Sequence, residues 1–154
     1  MRACVFFCHG SRDPAWRVPF DRLVAEQRAR QPAVRTEIAF LELMAPSLPE
    51  TLDALAADGC DEIAIVPLFL APGAHTRVDL PALADAAQRR WPRVQLRIMP
   101  TLLESPAVRA AGRAGCGEER RQPGPAGPGS PENPGSRIPV HITFRYMNRP
   151  IRSL

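Results

Sequence analysis

Two stretches of the chain are apolar without interruption, and two alternate. Residues 3–8 (ACVFFC) and the start of residues 61–70 (DEIAIVPLFL) are continuous apolar runs, the pattern of strands buried on both faces. Residues 34–40 (VRTEIAF) alternate at Val34, Thr36, Ile38 and Phe40, and residues 94–98 (VQLRI) alternate as well. Such strands keep one wetter face. The segments between them have helical spacing. Residues 16–30 set Trp16, Phe20, Leu23 and Val24 on one stripe, with Asp13-Pro14 ahead of it and Pro19 in its first turn, where a missing N–H costs little. Residues 46–58 carry Leu48, Leu52 and Leu55 on one side and stop at Gly59. Residues 79–91 predict a third helix, and a last one begins near Ser105-Pro106.

The series is βαβαβαβα with short connections. It predicts an α/β fold of three layers, a parallel four-stranded sheet with helices on both faces. The continuous runs belong in the centre and the alternating runs at the edges. The order is then 2-1-3-4, as in flavodoxin-like sheets. Winding reverses between strands one and three, and ligands bind outside the carboxyl ends of the strands at that point. Three residues with chemistry fall on this rim: His9 directly after strand one, Glu42 just beyond strand two, and His75 in the loop after strand three.

From Gly112 the character changes. Residues 112–154 are dense in Gly and Pro, residues 115–137 are expected to be disordered, and residues 138–146 (IPVHITFRY) read as a short strand without a clear partner. His141 there is expected to be incidental.

The formal charge of +4 does not indicate a nucleic-acid partner. Residues 1–114 hold 14 Arg and 13 acids, and residues 115–154 hold 6 Arg and 3 acids, so the excess sits mostly in the tail. No helix shows a clustered basic stripe. The four cysteines, Cys4, Cys8, Cys60 and Cys116, include no CxxC pair. Cys4 and Cys8 therefore read as small buried hydrophobes. No apolar run is long enough to span a membrane, and MRACVFFC passes straight into HGSRD, so no export signal is read and a cytoplasmic location is expected.

Two imidazoles and a carboxylate on one rim make a binding set for a divalent transition metal. Three ligands leave positions open, as a site that transfers metal requires. Taken singly, His9 also suits a turn and Glu42 a solvated loop. Arg12 and Arg77 occupy matching places beyond their strands. They suit bidentate recognition of a polycarboxylate, or equally surface ion pairs with Asp13 or Asp79. Asp79 either orients the His75 ring or caps the helix from Leu80, and the cap is the preferred reading. Gly10, Ser11 and Gly73 serve tight turns that bring backbone close to a ligand. No GxSxG elbow, GxxxxGK[ST] loop or GxGxxG loop is present, which removes the hydrolase and nucleotide-binding readings.

HGSRDPAW (9–16), AFLELMAPSLPE (39–50), VPLFLAPGAHTRVDLP (66–81) and VQLRIMPTL (94–102) together resemble the small class II chelatases, which insert cobalt or iron into sirohydrochlorin. The resemblance covers residues 1–111, leaving residues 112–154 as a tail in place of the family's usual final helix. It implies that His9 and His75 serve the metal and act as catalytic bases, with Glu42 as a further ligand. It also implies Arg12 and Arg77, with Gly10 and Ser11, as the binding set for the tetrapyrrole carboxylates. Co²⁺ or Fe²⁺ is then a substrate, no tightly bound cofactor is expected, and two subunits pair as a homodimer. A non-catalytic carrier of metal or tetrapyrrole is one competing reading, and a degenerate, poorly folding chelatase copy is another. Turnover separates the enzyme from the carrier, and a cooperative thermal melt argues against the degenerate copy.

Overall fold

The structure is a computed structural model. It describes residues 1–73 and 75–118, without the side chains of His75, Thr76 and residues 115–118. Four parallel strands, β1 (Arg2–Cys8), β2 (Arg35–Phe40), β3 (Glu62–Pro67) and β4 (Gln95–Ile98), form one sheet in the order β2-β1-β3-β4. The expected α/β architecture and strand order are both present. Helices α1 (Val18–Arg30), α2 (Leu48–Ala57), α3 (Leu80–Arg90) and α4 (Pro106–Glu118) follow the strands in turn. The sheet and the first three helices lie in a unit from Met1 to Val108, and the next unit begins at Arg109 within α4.

Strand β1 builds both cores. Ala3, Val5 and Phe7 face one way, among Leu48, Leu52 and Leu55 of α2 and Leu80, Ala84 and Ala87 of α3. Cys4, Phe6 and Cys8 face the other way, with Val24 of α1 and Ile38 and Phe40 of β2. The continuous apolar run is thus a period-two pattern with both phases filled. Burying a side chain such as Phe7 or Leu52 contributes about 1.5–3 kcal/mol. The edge strand β2 is drier than its alternation predicts: Thr36, Ile38, Ala39 and Phe40 are all buried. Arg28 of α1 reaches over this edge and donates to the Thr36 carbonyl at 2.9 and 2.7 Å.

Local signals set the element ends. The Asp13 side chain accepts from the Ala15 N–H at 2.9 Å and caps a 3-10 turn, Pro14–Arg17, from which α1 continues. Ser47 and Glu50 form a reciprocal capping box at the start of α2. Gly59 takes φ +84° beyond the α2 terminus, the left-handed conformation that ends helices.

Two expectations are corrected. Asp79 does not cap α3. Its backbone is helical, its side chain makes no cap hydrogen bond, and a π-helical turn, His75–Asp79, runs directly into α3. A residue with helical φ and ψ cannot turn its side chain onto the N–H groups ahead of it as an extended cap does. Regular structure also does not stop at Gly112, because α4 continues through residues 112–118. The glycines there weaken a helix without breaking it, and the next proline, which would break it, is Pro123. The expectations for residues 119–137, for a strand over 138–146 and for His141 lie outside the described residues.

Candidate metal-binding rim

The carboxyl edge of the sheet is assembled by an extension of the β1–β2 ladder. Beyond the last strand pair, the Leu41 N–H donates to the Cys8 carbonyl at 2.8 Å and the Glu42 N–H to the His9 carbonyl at 3.0 Å. Continuing the strand register pairs His9 with Leu41 and Gly10 with Glu42, so Glu42 lies diagonally across from His9 and is tied to it through the His9 carbonyl. Their side chains meet, with His9 Nδ1 3.5 Å from Glu42 Oε1, and both remain about half exposed. This separation is long for a hydrogen bond. It does match the edge of a tetrahedron about one ion with bonds of about 2.1 Å, roughly 3.4 Å. The contact is an ion pair only when the imidazole is protonated.

The ring of His9 is held from beneath. Phe69, two residues past β3, packs edge-on against it at 5.6 Å between centroids, and the same ring packs edge-on against Phe7 at 5.5 Å. Phe69 thus ties the histidine to the core while leaving an outer flank open. Nothing in the sequence singled out this residue, because it sits in an apolar run and looks like any core position.

Gly10 has φ +102°, and a Cβ there would overlap the Glu42 carbonyl oxygen. The glycine is needed because two backbones touch at this point. The Ser11 hydroxyl accepts from the Asp13 N–H at 3.1 Å and bends the chain toward α1. The exposed Arg77 donates through Nη2 to the Pro72 carbonyl at 2.9 Å, which ties the turn after β3 together. Arg12 is exposed. The backbone of His75 opens the π-helical turn beyond β3. The position of its side chain, and with it the third expected ligand, lies outside the described residues. Among the described residues no three His, Cys, Asp or Glu side chains gather as a metal-holding group. The structure therefore brings together His9 and Glu42 of the expected set.

A hollow lined by Ala56, Gly59, Cys60, Asp61, Trp91, Pro92, Arg93 and Val94 opens at the opposite, amino edge of the sheet. It contains none of the expected site residues. No helix among the described residues is long and apolar enough to cross a membrane.

Comparison with known proteins shows the family to which the chain belongs. The model of the CbiX family matches residues 3–117. A sirohydrochlorin cobaltochelatase of Priestia megaterium is 29% identical over 96 residues, covering 61% of this chain and 30% of its own length. A sirohydrochlorin ferrochelatase of the same organism is 30% identical over 96 residues, covering 62% of this chain and 36% of its own length. The chain thus spans about a third of the length of these relatives. A solved structure, described as a CbiX protein of cobalamin (vitamin B12) biosynthesis from Marinobacter aquaeolei VT8, superposes with a TM-score of 0.67 at 28% identity. That superposition covers 78% of this chain and 98% of the other. With most of its length matched by one family model and the same sheet in a solved member, the chain belongs to the CbiX family.

Proposed function

We propose that the protein inserts Co²⁺ or Fe²⁺ into sirohydrochlorin. The observation that carries this reading is the His9–Glu42 pair, 3.5 Å apart at the carboxyl edge of the sheet, with His9 bordering the switch point between β1 and β3. The names of relatives that act on the same macrocycle with either metal support it. In this reading His9, Glu42 and His75 hold the incoming cation. Arg12 and Arg77 grip carboxylates on the rim of the macrocycle, and Gly10 and Ser11 shape the loop beneath it. The metal is a substrate, and no tightly bound cofactor is part of the scheme. Residues 1–111 form the working domain, two copies pair as a homodimer in the cytoplasm, and neither nucleic acid nor a membrane takes part.

The reaction exchanges two pyrrole N–H protons for one M²⁺. A loosely held cation must face the ring nitrogens while a base removes the protons. Neutral imidazole suits this, because its unprotonated nitrogen can hold a cation or accept a proton. Half-exposed side chains give the protons a direct way to water. Glu42 keeps the local charge low enough for the cation to stay until the ring accepts it. The imidazole and carboxylate set accepts cobalt and iron alike.

The test is an anaerobic absorbance time course with sirohydrochlorin and each metal offered separately. Multiple turnovers above the uncatalysed rate are expected. A change that stops at one equivalent would establish the carrier instead. The double variant His9→Ala with His75→Ala should lose insertion while melting cooperatively like the wild type. Activity retained in that variant would refute the assigned roles.

A further inference from the structure

We propose that Leu43 is a positioning residue, whose left-handed backbone holds the Glu42 carboxylate beside His9 in advance of the metal. The proposal rests on the reading of His9 and Glu42 as metal donors. Leu43 has φ +63°, a region that non-glycine residues rarely occupy. Its side chain is 57% exposed, so no burial in the core offsets the strained backbone. The Met44 N–H donates to the Glu42 carbonyl at 2.8 Å, closing a three-residue turn about Leu43. With a positive central φ this is the rarer, strained hand of that turn.

The turn acts directly on Glu42, whose peptide groups are held at both ends. Its N–H donates to the His9 carbonyl at 3.0 Å, and its carbonyl receives the Met44 N–H. On the other side Gly10 closes against that carbonyl, where a Cβ would not fit. The direction of the Glu42 side chain is therefore set by backbone contacts and not by packing. The carboxylate itself is half exposed and 3.5 Å from His9 Nδ1. A donor fixed in this way loses little freedom when the cation arrives. An unstrained Leu43 would free the Met44 N–H and let the Glu42 peptide rotate.

Two substitutions separate the backbone from the side chain. Leu43→Ile keeps the size and polarity but strongly disfavours positive φ. Leu43→Gly removes the side chain and favours positive φ. The full chain, without tetrapyrrole, is titrated with Co²⁺, following heat and the visible absorption of the bound ion. Glu42→Gln is titrated alongside, and thermal melts are recorded for all. Leu43→Ile is expected to weaken Co²⁺ binding about tenfold or more and change the visible spectrum as Glu42→Gln does. Leu43→Gly is expected to keep both close to wild type. Should Leu43→Ile fail to melt cooperatively, Leu43→Ala takes its place in the comparison. Wild-type binding by the Ile variant, or equal loss in the Gly variant, overturns the proposal while leaving the donor pair intact. Loss of neither affinity nor spectrum in Glu42→Gln overturns the donor pair itself.

Discussion

His9 stands where the most buried strand of the molecule meets water. Directly before it, Cys8 is fully buried, as is Cys4 four residues earlier. Burial pushes both thiols up to about 12. A thiol whose folded pKa lies above its unfolded value of about 8.5 favours the folded chain in its neutral form. That contribution is complete below the unfolded value and is lost as pH rises through about 9 towards 12. Iodoacetamide at pH 8 should therefore leave Cys4 and Cys8 unmodified in the native protein and label them as urea unfolds it, with peptide mapping as the readout. Labelling at the rate of a free thiol before unfolding would contradict this burial. Cysteine burial was legible in the sequence from the apolar run ACVFFC. Leu43 was not, because nothing in AFLELMAP distinguishes an exposed leucine of positive φ from a core leucine. Asp79 was misread for a related reason. An Asp ahead of a helical stripe has the composition of a cap, and only its backbone angles show that the helix has already begun.

At the scale of elements, α2 begins through a device that titrates. Ser47 Oγ and the Ser47 N–H both donate to the Glu50 carboxylate, at 2.7 and 2.8 Å. These bonds hold the Glu50 carboxyl below the usual carboxylate range, its backbone bond to Ser47 first among the causes. A lowered folded pKa contributes stability above the unfolded value, lost as pH falls through the folded one. Ser47→Ala should cost about 1 kcal/mol in urea unfolding at pH 7, and the difference should shrink as the buffer is taken below pH 4. A difference independent of pH would mean that the carboxylate takes no part in the cap. Leu48, Leu52 and Leu55, buried behind this cap, were legible from their spacing. The length of α4 was not. Gly112, Gly115 and Gly117 resemble loop composition, yet glycine only taxes a helix whereas proline ends one.

For the whole molecule, the sheet order was legible because burial on both faces leaves a different trace from burial on one. Runs of six or more apolar residues had to be central, and the alternating segments had to be outside them. That placed His9 and Glu42 on the same rim before any distance was known. Their 3.5 Å approach depends on how far the β1–β2 ladder continues and on the turn at Leu43, which leave no trace in hydrophobic pattern. The two edges of the sheet are also unlike. The amino edge carries the Cys60–Trp91 hollow, and the carboxyl edge carries the candidate donors.

The ladder extension has a consequence for motion. The Leu41 and Glu42 amides are bonded to the carbonyls of Cys8 and His9, so the two candidate donors hang from the end of the β1–β2 strand pair and not from a loop free to swing. The Leu41 and Glu42 amide hydrogens should exchange with deuterated solvent nearly as slowly as those of β1, on the timescale of global opening. The two donors would then lose their arrangement only when the sheet itself opens, and heating should weaken cobalt binding along the unfolding curve and not ahead of it.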